Sequence, residues 1–271
     1  MDIETCCLTV AGSDSGGNAG VQADLRAFHA YGLHGCTVFA ALTAQNPFGV
    51  SAVHEVPPDF VAAQLDAVLG VYAIGAMKTG MIASPAAIEV VADRLSAHPE
   101  IRRVIDPVMV ATSGARLVGR EATDAIVRRL VPGAAIVTPN LPEAEALCGF
   151  ETEPNAVRTA DLAHARDLAK RLHGETGCAV LVKGGHGTGL TAVDVLCSDE
   201  GVFEYPLPWI VAPVSTHGTG CTLAAALTAE LALGKSVPEA VAGAKRHVHE
   251  AIATSHLVGE RCGVLGFARS R

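Results

Sequence analysis

Several things are missing from this sequence, and each absence removes a class of function. Basic residues are too few to dominate: 20 Lys and Arg stand against 28 Asp and Glu, a net charge of −8. That balance gives no electrostatic case for binding nucleic acid or an anionic membrane, and any phosphate site must be local, built from backbone amides and a few cations. No uninterrupted apolar run approaches the ~18 residues of a membrane span. Asp2 and Glu4 precede the first strand-like run, unlike a signal peptide. None of the eight cysteines forms a CxxC, and no Cys/His cluster has the spacing of a structural zinc site. Cys36, Cys178 and Cys197 sit in apolar, strand-like surroundings and read as small buried hydrophobes in a reducing compartment, so the expected location is cytoplasmic. There is no GxxxxGK[ST], which argues against a P-loop NTPase. "GSDSGGNAG" after the first strand has the wrong spacing for a dinucleotide fingerprint, and no GxSxG elbow marks an α/β-hydrolase.

What is present alternates. Short apolar runs read as strands: 6–12, 36–42, 103–110, 134–140 and 178–185. Amphipathic segments between them read as helices: 20–32, 58–69, 84–98, 120–133, 141–149 and 159–177. Ser84 followed by Pro85 is an N-cap with proline at the first helical position. "GLTAVDVLCSDEGVFEYPL" reads as a hairpin turning at Asp199-Glu200-Gly201, and two helices, 218–234 and 236–255, follow. Continuous apolar strands alternating with helices imply a mainly parallel sheet covered on both faces, an α/β fold in one domain spanning 1–271.

In such sheets ligands bind beyond the carboxyl ends of the strands. That rule collects Gly12 to Gly20, Gln45-Asn46, Lys78 to Met81, Asp106, Asn140 to Glu143, Lys183 and "HGTGC" (217–221) on one rim. The last of these opens a helix, whose first amides lack partners and carry partial positive charge. Phosphoryl transfer needs amides for the moving group, a cation on the nucleotide phosphates, carboxylates for Mg²⁺ and a base for the acceptor hydroxyl. Gly218, Thr219 and Gly220 offer the amides. Cys221, at a helix N-terminus, is expected to have a lowered pKa and to serve as the base. Asn140 and Glu143, three apart at a helix start, can face one ion or form an N-cap with a capping box. Lys183 ends an apolar strand, an odd place for a merely solvated lysine.

Seven segments in order carry a resemblance: "AGSDSGGNAGVQADL", "TAQN", "KTGM", "DPVMVATSG", "TPNLPEAEAL", "VLVKGGH" and "THGTGCTLAAAL". Over roughly 6–257 the chain resembles the hydroxymethylpyrimidine/phosphomethylpyrimidine kinases of thiamin biosynthesis, in the ribokinase-like superfamily. The resemblance implies a three-layer α/β/α sandwich and two successive ATP-dependent phosphorylations, of 4-amino-5-hydroxymethyl-2-methylpyrimidine and then of its monophosphate. It implies that Gln45 and Asp24 hydrogen-bond the aminopyrimidine and that Gly12, Met81 and Val108 line its pocket. It further implies ATP binding by Lys183 and Asn140, Mg²⁺ binding by Asp106 and Glu143, catalysis at the 218–221 loop, and a homodimer. His217 matches the motif without an evident role. Pro47 stands where the family more often has threonine and Asn18 where glycine or alanine is common, both bordering the implied pocket. The alternatives are a pyridoxal/pyridoxine kinase of the same fold and a non-catalytic pyrimidine-binding protein. A ribokinase-type sugar kinase fits less well, because Cys221 stands where aspartate is expected.

Overall fold

The computed structural model describes residues 5–109, 119–150, 162–185 and 190–267. Six strands form a parallel array in the order β2 (His34–Asn46), β1 (Cys6–Gly12), β4 (Ile74–Thr79), β5 (Arg102–Ile105), β6 (Ile136–Val137), β7 (Ala179–Val182). Antiparallel strands extend both edges: β3 (Gly49–Glu55) beside β2, and the hairpin β8 (Thr191–Ser198) and β9 (Gly201–Pro208) beside β7. The strands were legible as apolar runs because the parallel ones are buried on both faces. Side chains of β1 alternate: Leu8 and Val10 enter one core, Cys7 the other. Met77 and Ala76 of β4, and Ile105 and Val104 of β5, divide the same way.

Helices α2 (Pro58–Leu69), α3 (Pro85–Ser96), α4 (Arg120–Ala125), α5 (Leu141–Leu147) and α6 (Leu162–Thr176) cover one face. On the other lie α1 (Gly20–Ala30), α7 (Thr219–Ala232) and α8 (Val237–Ala253). The small residues Ala224, Ala225, Ala226 and Ala229 let α7 lie close to the sheet, buried along nearly its whole length. Ser84 caps α3 through the amide of Ala87, as its sequence position implies.

The structure departs from the sequence reading in several places. β3 carries exposed side chains over most of its length and lacks the apolar run that marks a buried strand. The run at 103–110 is extended only through Ile105, because Pro107 removes an amide donor; Val110 and the rest of "VATSG" lie outside the described residues. The 134–140 segment contributes only two strand residues. The helix expected over 120–133 changes to π-helical winding at Ile126–Leu130. The start of the helix expected at 159 lies outside the described residues. The short hairpin β10 (His256–Val258) and β11 (Cys262–Val264) had no clear signal.

Strand order reverses between β1 and β4: the chain moves from β1 outward to β2 and β3, then returns to β4 and proceeds the other way. This is the switch point where a doubly wound sheet opens a crevice. Two loops meet there. Gly218, N-cap of α7, has φ +85°, and a Cβ on it would lie 1.8 Å from the carbonyl oxygen of Asn18. Only glycine satisfies both the left-handed backbone and this backbone-to-backbone contact. Gly218→Ala is therefore expected to lower stability by at least about 2 kcal/mol in urea titration; a change below about 0.5 kcal/mol would mean the loops are not packed this way.

Candidate active site

The rim that the switch point creates contains a compact set of charges. Lys183, just past β7, pairs in isolated parallel register with Asn140, and its amide donates to the carbonyl of Pro139. This register sets Lys183 beside the start of α5. Its ammonium lies 2.9 Å from Asp106 Oδ1 and 3.8 Å from Glu143 Oε2. Thr138 Oγ1 donates to the same Asp106 oxygen at 3.1 Å. Asn140 and Glu143 form a reciprocal capping box: Glu143 N donates to Asn140 Oδ1 at 2.9 Å and Asn140 N to Glu143 Oε2 at 2.8 Å. Met109 N also donates to Glu143 Oε1, at 3.4 Å. Burial pushes the Glu143 carboxyl up to about 6; Lys183 opposes that rise and the charge of Asp106 adds to it. Burial alone would lower Lys183, but Asp106 and Glu143 together outweigh it and hold the ammonium charged.

The N-terminus of α7 faces this cluster. A Cβ on Gly220 would sit 3.7 Å from Lys183 Nζ, so the lysine lies against the first turn of a helix that carries no acidic residue there. Cys221 is in the same turn and keeps partial solvent contact. Its thiol is not depressed, contrary to the expectation from its helix position. Burial pushes it up to about 11, Asp24 and Asp106 push the same way, and Lys78 and the amide of Gly20 oppose them. In the protein without ligand the sulfur is therefore a thiol at neutral pH.

Asp24 also differs from expectation. It does not reach a pocket wall: its side chain is 0% exposed, Oδ1 accepts from Lys78 Nζ at 2.9 Å and Oδ2 from Thr9 Oγ1 at 2.6 Å. Gln45 does reach one. It lines a cavity of about 310 Å³ with Pro47, Phe48, His217 and Arg261 among others, and its Oε1 accepts from Thr43 Oγ1 at 3.2 Å. Ser15 Oγ both donates to the carbonyl and accepts from the amide of Gln45, holding the end of β2 to the glycine loop. Met81 lies over Gly12, where a Cβ would come 2.6 Å from its Cε; Met81 is buried and Val108 half-buried, and neither lines this cavity.

The sequence placed Asp14 and Lys78 on the rim without a role and gave no sign of Thr138 or Arg261. Asp14 organises the first glycine loop, accepting from the amides of Gly16, Asn18 and Ala19 at 2.8, 2.9 and 2.8 Å. Burial would raise its carboxyl, but His217 and these amides hold it below the usual range. His217 Nε2 lies 3.5 Å from Asp14 Oδ2, which gives that histidine a place: it ties the loop before α7 to the loop after β1. A Ser-Asp-Ser run beside glycines was the signal for Asp14, since Asp caps its own downstream amides in such turns.

Among the described residues no three His, Cys, Asp or Glu side chains gather as a ready metal cage. Asp106 and Glu143 nevertheless suit Mg²⁺, which keeps several waters and takes one or two carboxylates plus substrate phosphates. Burial chiefly raises Glu143 and the charge of Asp106 adds to it, and a bound divalent cation would relieve that repulsion.

A parallel sheet with its crevice at the switch point, an acid pair bridged by lysine, and a glycine-started helix aimed at that lysine define a small-molecule phosphotransferase. The chain belongs to the phosphomethylpyrimidine kinase family, whose model matches residues 14–266. It is 43% identical over 249 residues to the hydroxymethylpyrimidine/phosphomethylpyrimidine kinase of Rhizobium meliloti, covering 92% of this chain and 90% of that protein. It is 44% identical over 256 residues to a thiamine biosynthesis bifunctional protein of Geobacter sulfurreducens, covering 94% of this chain; the chain spans 51% of that longer protein. Among solved structures it resembles Bacillus subtilis pyridoxal kinase in an ADP complex, with TM-score 0.87, 34% identity and 97% of each chain covered. It also resembles the phosphomethylpyrimidine kinase of Clostridium difficile 630, with TM-score 0.78, 36% identity, and 92% and 100% of the two chains covered.

The raised thiol of Cys221 yields a direct expectation. Alkylation of Cys221 by iodoacetamide in the unliganded protein, followed by peptide mapping, should rise about tenfold per pH unit from pH 7 to 10, because only the thiolate reacts. A plateau already reached near pH 7 would show a depressed thiol instead.

Proposed function

We propose that this protein transfers the terminal phosphoryl group of ATP to the hydroxymethyl oxygen of 4-amino-5-hydroxymethyl-2-methylpyrimidine, and then transfers a second to the resulting monophosphate, as a step in thiamine biosynthesis. The observation that carries the reading is Lys183 held between Asp106 and Glu143 against the first turn of α7, with Cys221 in that same turn. The whole described chain is read as one kinase domain.

In this reading Lys183 and Asn140 meet the nucleotide phosphates. The amides of Gly218, Thr219, Gly220 and Cys221 face the three oxygens of the moving phosphoryl group, where charge is held in the transition state. Asp106 and Glu143 hold Mg²⁺, which neutralises phosphate charge when bound. Gln45 pairs with the ring, whose nitrogen and amino group match an amide's acceptor and donor. Met81, Gly12 and Val108 offer apolar contact to the flat ring beside it. Asp24, which the resemblance puts on the ring, is here held by Lys78 and Thr9 and would reach a ligand only by leaving them. Cys221 as thiolate accepts the hydroxyl proton while the acceptor oxygen bonds to phosphorus and the phosphorus–ADP bond breaks.

In the second transfer the acceptor is already an anionic phosphate oxygen, so no alcohol has to be deprotonated. What that step needs is charge neutralisation, from the amides, Lys183 and the metal. A pyridoxal-type acceptor is the rival reading, favoured by the fold likeness to a pyridoxal kinase. A homodimer and a cytoplasmic setting belong to the same proposal. The exposed apolar side chains Leu42 of β2, Phe48 of the turn after it and Val53 of β3 suit a second copy.

Phosphorus NMR of the products, with each acceptor supplied separately under excess Mg-ATP, tests the two-step claim: both the monophosphate and the pyrophosphate are expected, and an enzyme that stops at the monophosphate contradicts it. Cys221→Ser is expected to slow the alcohol step about 10²–10⁴-fold and the monophosphate step much less. Equal losses in both steps would remove the base role. Gln45→Leu is expected to weaken aminopyrimidine binding by about 1–3 kcal/mol with ATP affinity little changed, as titration calorimetry can show.

A further inference from the structure

Beside the end of β7 lies an ion pair that the reading above does not use. Asp194 of β8 is buried, and its Oδ1 accepts from the amide of Gly184 at 2.7 Å and from Lys245 Nζ of α8 at 2.9 Å. The Lys245 and Asp194 side chains are 12% and 4% exposed. Gly184 directly follows Lys183, and a Cβ on it would lie 1.8 Å from the carbonyl oxygen of Val193, so this turn is pressed against β8. Stability alone does not call for the pair. Well-packed apolar residues of similar volume are commonly as stable as a buried ion pair or more so.

The register of β7 and β8 accounts for it. These strands run antiparallel, with Leu181 opposite Leu196 and Val182 opposite Val195. One step further along the same register, Asp194 falls opposite Lys183, the relation in which cross-strand side chains interact. Leu181 and Leu196 face the core beneath α7 and α8, and alternation gives Lys183 and Asp194 that same face. Yet the Lys183 ammonium extends the other way, to 2.9 Å from Asp106 and 3.8 Å from Glu143. Among the described residues Asp194 is ion-paired with Lys245 alone. Its neighbour across β9, Tyr205, gives its hydroxyl to the carbonyl of Pro238 and offers no countercharge. A buried carboxylate left unpaired beside Lys183 would draw that ammonium back along the sheet.

We propose that Lys245 is a positioning residue for phosphoryl transfer: by neutralising Asp194 from α8, it leaves Lys183 free to extend toward Asp106, Glu143 and the first turn of α7, where the nucleotide phosphates bind. Asp194 in turn pins the Gly184 amide, and with it the backbone that carries Lys183. This rests on the reading of Lys183 as the lysine that meets those phosphates. Lys245 itself touches no substrate and acts through the carboxylate it occupies.

The claim is one of charge, so removing both members of the pair repairs what removing the cation alone damages. A pair that served packing alone would behave otherwise, the second substitution adding to the loss. The test is titration calorimetry of ADP, and separately of hydroxymethylpyrimidine, on variants whose folding is verified by circular dichroism. Lys245→Met is expected to weaken ADP binding by at least about fivefold, with pyrimidine affinity little changed. Combining it with Asp194→Asn, whose amide oxygen still accepts from Gly184, is expected to return ADP affinity to within about twofold of the wild type. A crystal structure of Lys245→Met is expected to show the Lys183 ammonium within about 4 Å of the Asp194 carboxylate. Unchanged ADP affinity in Lys245→Met, a loss that Asp194→Asn does not restore, or Lys183 still seated between Asp106 and Glu143 overturns the proposal. If Lys245→Met does not fold, Asp194→Asn alone decides: ADP affinity within about twofold is expected, and a loss of about tenfold shows that the site needs the carboxylate's charge rather than its neutralisation. Full ADP affinity in Lys183→Met would instead refute the phosphate role of Lys183, and the crystal position of Lys183 still judges Lys245 on its own.

Discussion

Five charges share a space with little water at the carboxyl end of the sheet: the ammonium groups of Lys78 and Lys183 and the carboxylates of Asp24, Asp106 and Glu143. Charges in such a place interact strongly and are costly to leave unpaired. Each must therefore be placed to within a hydrogen bond of its partner. The contacts of Lys183 with Asp106 and of Lys78 with Asp24 are both 2.9 Å, and they join segments 77 and 54 residues apart in sequence. The parallel register of the central strands is what delivers those side chains to one level.

The loops obey the same requirement. Asp14 gathers three amides of the loop after β1, His217 reaches it from the loop before α7, and Gly218 lets the two backbones touch. The N-terminus of α7 is thereby aimed at the cluster rather than at solvent. In formal count the five charges leave one net negative, and a thiolate at Cys221 would make two. Incoming nucleotide phosphates would worsen this. The amides of α7 and a divalent cation are the natural compensation; before they arrive, burial, with the charge of Asp106 adding to it, pushes Glu143 up to about 6.

Much of this was legible before any coordinates, for identifiable reasons. Buried parallel strands announce themselves as apolar runs, and glycine, proline and capping residues mark their ends, so the rim of Gly12, Gln45, Asp106, Asn140, Glu143, Lys183 and Gly218 could be collected from position alone. Asn140 and Glu143 form the capping box that their spacing allows. What could not be read were contacts made across the sheet. Nothing local distinguishes Asp24 on an amphipathic helix from a solvated acid, or shows that Lys78 lies beneath it. The sign of the Cys221 shift went astray for a related reason. Helix position favours a thiolate, but burial and two carboxylates contributed by distant segments outweigh it. β3 was missed because an exposed edge strand has no apolar run to show.

The central claim is that this rim phosphorylates a hydroxymethyl group on a flat aminopyrimidine ring and then the phosphate it has made. The measurement that tests it most directly is kcat/KM of the purified protein with Mg-ATP for hydroxymethylpyrimidine, its monophosphate, pyridoxal and ribose, side by side. Turnover of both pyrimidines is expected, with each preferred over pyridoxal by at least about tenfold and with ribose inert. Preference for pyridoxal or ribose, or binding of the pyrimidine without consumption of ATP, would contradict it.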